Sequence, residues 1–134
     1  MRIIVDAGVF FHPAALRKLR DQGLPRVVPA VAYAERIRQL SVRPGAVAEF
    51  DQALNDGRYA VESFGRDQAR RLLSLRLNDV TWQRLARDAM IAAHVGPLDK
   101  IWTTNPRDFF ELGLSKEQVV PIPDAFNRGH VAPL

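Results

Sequence analysis

The sequence predicts an α/β fold with a small central parallel sheet flanked by helices. Short β-branched runs lie near both ends of the chain, and stretches of helical periodicity separate them. The composition fits such a domain: 134 residues, 47% apolar, 25% charged and 8% aromatic, values that exclude disordered and fibrous architectures. No internal repeat, low-complexity stretch or linker divides the chain, so a single domain over 1–134 is expected.

Arg2-Ile3-Ile4-Val5 reads as a buried strand that ends at Asp6-Ala7-Gly8 in a turn. Pro13 opens a helix running to about Gln22, with Gly23 as its stop. Val27-Val28 is a short extended piece. From Ala30 to Leu40 the residues Ala30, Tyr33, Ala34, Ile37 and Leu40 recur at helical spacing, and Arg43-Pro44-Gly45 breaks the pattern. A third helix runs to about Asn55, Tyr59-Ala60-Val61 suggests a strand, and helical patterning resumes from Asp67 to about Leu77. Asp79 or Thr81 can cap the next helix, whose stripe is Trp82, Leu85, Ala89, Ala92 and Ala93 and whose end lies near Gly96-Pro97. Lys100–Thr104 is a strand, Asn105-Pro106 opens a short helix with Phe109, Phe110 and Leu112, and Val119–Ile122 is the last strand. The tail 127–134 is expected to be mobile or packed on a partner.

The absence of cysteine excludes a disulfide scaffold, a thiolate metal site and a cysteine nucleophile. The first apolar run, Ile3 to Phe11, is broken by Asp6 and is too short to span a bilayer, so a cytoplasmic protein without membrane contact is expected. Nineteen basic residues against fifteen acidic ones give a net charge of +4. All the basic residues except Lys18, Lys100 and Lys116 are arginine, whose forked donors suit phosphate and carboxylate, so this surface permits a nucleic-acid partner without requiring one.

Four acids stand out. Asp6 ends an apolar strand, and the carboxyl ends of parallel strands are where α/β sheets open their crevices; it can equally cap the following turn. Asp88 has Arg84, Leu85, Ile91, Ala92 and Val95 as helical neighbours, a largely apolar flank on which a carboxylate needs a cation, hydrogen bonds or a metal. The structural alternative is an ion pair with Arg84 or Arg87. Glu35 lies off the main stripe of its helix, where the default is a solvated side chain paired with Arg36 or Arg38. Asp108 sits in the first turn of a helix just beyond a strand, a place the helix dipole favours and one on the same side of the sheet as Asp6 if the two strands are parallel.

If these four acids converge, their repulsion requires bound cations, and an oxygen-only ligand set suits Mg²⁺ or Mn²⁺. Such ions activate water and neutralise charge at a phosphodiester. In that arrangement the acids hold metal and the arginines hold the nucleic-acid backbone. Other chemistries find no support: there is no glycine-rich phosphate loop, and His12, His94 and His130 lack zinc-site spacing. His94 is expected to serve as a helix-end dipole partner. Phe109-Phe110 is expected in the core, and Arg66, Arg70 and Arg71 are candidates to line an RNA path.

On these residues the sequence resembles a PIN domain, in particular the VapC-type toxins of bacterial and archaeal toxin–antitoxin pairs. The resemblance runs from Arg2 to Asp124. It rests on Arg2-Ile3-Ile4-Val5-Asp6, on Val28-Pro29-Ala30-Val31-Ala32-Tyr33-Ala34-Glu35, and on Asp88-Ala89-Met90-Ile91-Ala92-Ala93-His94 together with Thr103-Thr104-Asn105-Pro106-Arg107-Asp108-Phe109. The last two segments are the most specific. One departure stands out: the family commonly has threonine or serine after the first acid, where this chain has Ala7-Gly8.

The resemblance implies a three-layer PIN-like fold and a metal-dependent endoribonuclease. Asp6, Glu35 and Asp88 would match an acidic triad holding Mg²⁺ or Mn²⁺, with Asp108 as fourth acid and Thr104 as a polar neighbour. It also implies a homodimer and a small antitoxin protein that inserts into the acidic groove. The alternatives are a non-catalytic PIN-type module that binds RNA or a partner, an RNA-maturation nuclease of the same fold and, more remotely, an unrelated α/β phosphatase.

Overall fold

The computed structural model describes residues 1–123, so the expectation for the tail 127–134 lies outside the described residues. Five strands, β1 (Ile3–Val5), β2 (Arg26–Pro29), β3 (Tyr59–Glu62), β4 (Lys100–Thr103) and β5 (Val119–Pro121), form one sheet in the order β3-β2-β1-β4-β5. Every pairing is parallel, with Ile4 in register with Val27 on one side and Ile101 on the other. Helices α1 (Pro13–Asp21), α2 (Ala30–Leu40), α3 (Ala46–Asp56), α4 (Arg66–Arg71), α5 (Asp79–Ala92) and α6 (Pro106–Glu111) make the connections, as parallel strands demand. The fold class expected from the sequence is the one observed.

The strand order has one consequence for function. The chain leaves β1 towards β2 and β3, then returns to place β4 on the opposite side of β1. The carboxyl ends of β1 and β4 therefore diverge at the topological switch point, where open α/β sheets form their crevice. All three residues of β1 are buried, as a strand covered on both faces must be, whereas the edge strand β3 is only partly covered. Ile3, Ile4, Phe10, Leu19, Ile91, Ile101, Phe109 and Leu112 form the centre of the core.

Local departures from the expected pattern are informative. In α2 the buried positions are Ala32 and Arg36; Ala34 is exposed, and Tyr33, Ile37 and Leu40 are only partly covered. The apolar spacing gave the helix its right bounds but misplaced its inward face, because the Arg36 guanidinium lies 4.4 Å over the Phe11 ring in a cation–π contact that offsets part of the cost of its burial. Helix α4 is shorter than expected and continues as a 3₁₀ turn at Leu72–Ser74. The cap of α5 is Asn78, whose side chain accepts from the Thr81 backbone N–H at 2.8 Å, in place of Asp79 or Thr81. That helix stops at Ala92, and it bends at Leu85, whose φ of −119° is not helical. Leu85, Ala89, Ala92 and Ala93 are buried as expected, but Trp82 is exposed.

Phe109 is fully buried and Phe110 is 38% exposed, so the paired aromatics have separate fates. Phe109→Ala should destabilise the fold by about 3–5 kcal/mol through cavity formation. Phe110→Ala should cost well under half of that. Urea denaturation of the two variants checks the contrast, and equal losses would contradict this assignment of the core.

Candidate active site

The four acids singled out in the sequence meet at the switch point. Asp6 follows β1 and is buried; its Oδ1 accepts from the Ala7 N–H at 2.8 Å, so it caps the 3₁₀ turn Ala7–Phe11. Its Oδ2 accepts from the Thr103 hydroxyl at 2.8 Å. Thr103 in turn accepts from the Asn105 backbone N–H at 3.0 Å, and the Asn105 side-chain amide donates to Asp108 at 2.6 Å. A continuous polar chain thus joins the end of β1 to the first turn of α6. Glu35 arrives from the middle of α2 and Asp88 from the second half of α5, beyond the bend at Leu85.

One residue organises the group. The Arg87 guanidinium donates through Nη2 to Asp6 at 2.9 Å and to Glu35 at 2.9 Å, through Nε to the other Glu35 oxygen, and through Nη1 to Asp88. The structural alternative for Asp88, a pair with Arg87, is therefore present, while Arg84 pairs with Glu111 instead. Glu35 pairs with neither Arg36 nor Arg38. The fork that Arg87 makes with Glu35 joins α2 to α5, a pairing that no local sequence pattern reveals.

The electrostatics of the acids follow from this crowding. Burial, with a hydrogen bond to Asp108 and the charges of Asp6 and Asp108, pushes Asp88 up to about 6 against the opposing pull of Arg87. Burial works against the charge on Arg87, but its bonds to Glu35 and the charges of Asp6, Glu35 and Asp88 prevail and hold it well above its usual value. Three carboxylates around one guanidinium still leave the cleft with an excess of negative charge.

An oxygen-only donor set suits a hard divalent ion, so the residues present fit Mg²⁺ or Mn²⁺ in chemistry. In position they serve a guanidinium: among the described residues no group of three acids surrounds a point that could hold a metal ion.

Two further expectations need correction. The hydroxyl that reaches the acids is that of Thr103; Thr104 places its Oγ1 against Gly8, 2.4 Å from where a Cβ would stand. Gly8 is thus required by close approach, and the Thr104 hydroxyl fills space that a side chain at position 8 would take. His94 is fully buried rather than a simple helix-end partner, its Nδ1 2.6 Å from Glu62. Arg66, Arg70 and Arg71 are all exposed, and Arg71 also donates to the carbonyls of Ala93 at 3.3 Å and His94 at 3.5 Å, closing the end of α5.

With this geometry established, the chain can be compared with known proteins. No protein-family model matches it, and no curated protein matches it. Among solved structures it is similar to a chain in the crystal structure of VapBC2 from Rickettsia felis bound to a DNA fragment from their promoter. The TM-score is 0.65 at 14% identity, covering 84% of this chain and 94% of that one. That likeness is one of fold, and the parallel sheet flanked by helices is consistent with the PIN-like architecture expected from the sequence.

Two outcomes can be measured. Asp88 has its pKa raised on folding from 3.8 to about 6, so its ionised form opposes folding. This penalty is absent below about pH 4 and grows as pH rises through 6. The stability of Asp88→Asn relative to wild type should therefore increase between pH 4 and pH 7, as read by urea denaturation across that range; a flat difference would show that Asp88 is not raised. Gly8→Ala should cost about 1–3 kcal/mol by overpacking against Thr104. Much of this loss should return in Gly8→Ala/Thr104→Ala, and strict additivity of the two changes would rule out the contact.

Proposed function

We propose that this protein is a metal-dependent endoribonuclease, the toxin of a VapBC-type toxin–antitoxin pair. The observation that carries the reading is the convergence of Asp6, Glu35, Asp88 and Asp108 at the switch-point crevice. Acids from four separate places in the chain meet there, and a cluster of that kind, with one arginine shared among three of its carboxylates, is only partly compensated and costs stability. Asp6, Glu35 and Asp88 would hold Mg²⁺ or Mn²⁺, with Asp108 as the fourth acid. A bound divalent ion supplies charge neutralisation at a phosphodiester and a more acidic water.

The chain's own groups do the remaining work. Thr103 and the Ala7 N–H fix both oxygens of Asp6, leaving it little freedom to rotate. Asn105 orients Asp108. Asp88, which burial pushes up to about 6, can hold a proton near neutral pH. The exposed Arg66, Arg70 and Arg71 are candidate contacts for the RNA backbone.

By the same reading the protein acts in the cytoplasm, as a homodimer, and is restrained by a small antitoxin protein seated in the acidic groove. Among the described residues no helix is long and apolar enough to cross a membrane.

A second reading has one observation in its favour: Arg87 already pairs with three of the acids, as it would in a non-catalytic module that binds RNA or a partner. Cleavage of a labelled structured RNA separates the two. Wild type should cut with Mg²⁺ or Mn²⁺ and stop with EDTA, and Asp88→Asn should lose detectable cleavage while keeping its fold. Cutting that survives both EDTA and Asp88→Asn would overturn the metal site. Failure of wild type under every condition, together with no saturable thermal stabilisation by Mn²⁺, would favour the binding module.

A further inference from the structure

We propose that Arg87 is a built-in plug of the acidic cleft: its guanidinium holds the place of a divalent cation, and it must swing out before Asp6, Glu35 and Asp88 can hold one. The proposal rests on the metal-site reading above and adds to it a residue that sets how readily the site loads.

Three observations carry it. The guanidinium bonds to all three carboxylates at once, engaging both oxygens of Glu35 and one each of Asp6 and Asp88. Those oxygens are the ones a metal would need, and in this arrangement no three acids among the described residues surround a point that could take an ion. Arg87 also enters from the solvent side. Its side chain is 37% exposed, with Glu35 at 35%, against 5% for Asp6 and 10% for Asp88, so a change of its rotamers carries it into water, and the carboxylates then close in to hold an ion.

Charge adds a reason for exchange. One guanidinium against three carboxylates leaves two negative charges unbalanced, and a divalent ion neutralises the cluster more completely. Asp6, on the other hand, does not depend on Arg87 for its position, because Ala7 and Thr103 hold it independently. The acids are thus partly set in place while the plug is removable. Apparent affinity then falls by the fraction of molecules in which the site is open. If Arg87 is withdrawn in roughly 1–10% of molecules, metal binds about 10–100-fold more weakly than the open site would allow.

The test titrates the metal-free full-length protein with Mn²⁺ alone, counting free ion by electron paramagnetic resonance, for wild type, Arg87→Gln, Arg87→Lys and Asp88→Asn. Arg87→Gln should bind Mn²⁺ about 10–100-fold more tightly than wild type. Arg87→Lys keeps the charge but lacks the fork that spans three carboxylates, so it should also tighten, by less. Asp88→Asn should weaken binding. Thermal melting read alongside should show Arg87→Gln less stable than wild type without metal and gaining more from Mn²⁺. Mn²⁺ binding to wild type as tightly as to Arg87→Gln would overturn the plug and leave the metal site standing. Equal affinity of Arg87→Lys and wild type would do the same, since only charge would then matter. Absence of saturable binding in all four proteins would overturn the metal site and the plug together.

Discussion

The constraint on which this structure turns is the negative charge gathered where β1 and β4 part. A five-stranded parallel sheet with β1 in the middle has its crevice there, and the chain fills that crevice with carboxylates from the end of β1, from α2, from α5 and from α6. Nearby features can be understood as responses to that choice. Thr103 and the Ala7 N–H take up the lone pairs of Asp6, Asn105 holds Asp108, and Asp88 comes to share a hydrogen bond with Asp108. Arg87 supplies the cation without which Asp6, Glu35 and Asp88 could not lie so close in a partly buried place.

The fold was legible in the sequence where the signal is local. Pro13 at the start of α1, the β-branched run Ile3–Val5 and the span Ala30–Leu40 follow from backbone preference and apolar spacing, and the structure agrees with them. Errors arise where a side chain acts against its type. Arg36 is buried because its flat guanidinium stacks on Phe11, which turns the inward face of α2 by about one residue from the apolar stripe. Trp82 is left outside although it opens the stripe of α5, and the bend at Leu85, which no proline or glycine announces, breaks the regular helix between the two.

The candidate site shows the same division. Asp6 and Asp108 could be placed by their position after strands, and Asp88 by its apolar flank. Glu35 was singled out only through the family resemblance, since its partner Arg87 is 52 residues away in sequence and no local pattern marks it. Arg87 itself was visible only as one possible neighbour of Asp88. Adjacent helical residues point about 100° apart, so its role in joining three acids depends on the bend of α5 and on the approach of α2, both tertiary facts. Thr103 and Thr104 illustrate a register limit. Thr103 ends β4 and Thr104 follows it, and only the pairing of β4 with β1 decides which hydroxyl meets Asp6.

A second polar cluster provides an internal comparison. Arg2 bonds to Glu62 at 2.5 Å and to Asp99 at 3.3 Å, and His94 lies 2.6 Å from Glu62, tying β1 to β3 and to the loop after α5. Burial works against the charges of Glu62 and Asp99. Even so, hydrogen bonds from His94 and Arg2 bring Glu62 below the usual carboxylate range, and the Gly96 and Arg2 N–H groups with the Arg2 charge do the same for Asp99. Each of those acids has its donors in hand and is ionised to the benefit of the fold. Asp88 is shifted the other way: burial pushes its pKa up, the Arg87 that opposes this is shared with two other acids, and Asp108 and Asp6 raise it as well. Two clusters built from the same residue types thus differ in balance: the carboxylates of the first are matched by donors, although the buried His94 Nε2 has no hydrogen-bond partner among the described residues, and the second is left short of positive charge. A network that served stability alone would be matched as the first is. The shortage at the switch point is the condition a site needs if it is to accept a cation from outside the chain.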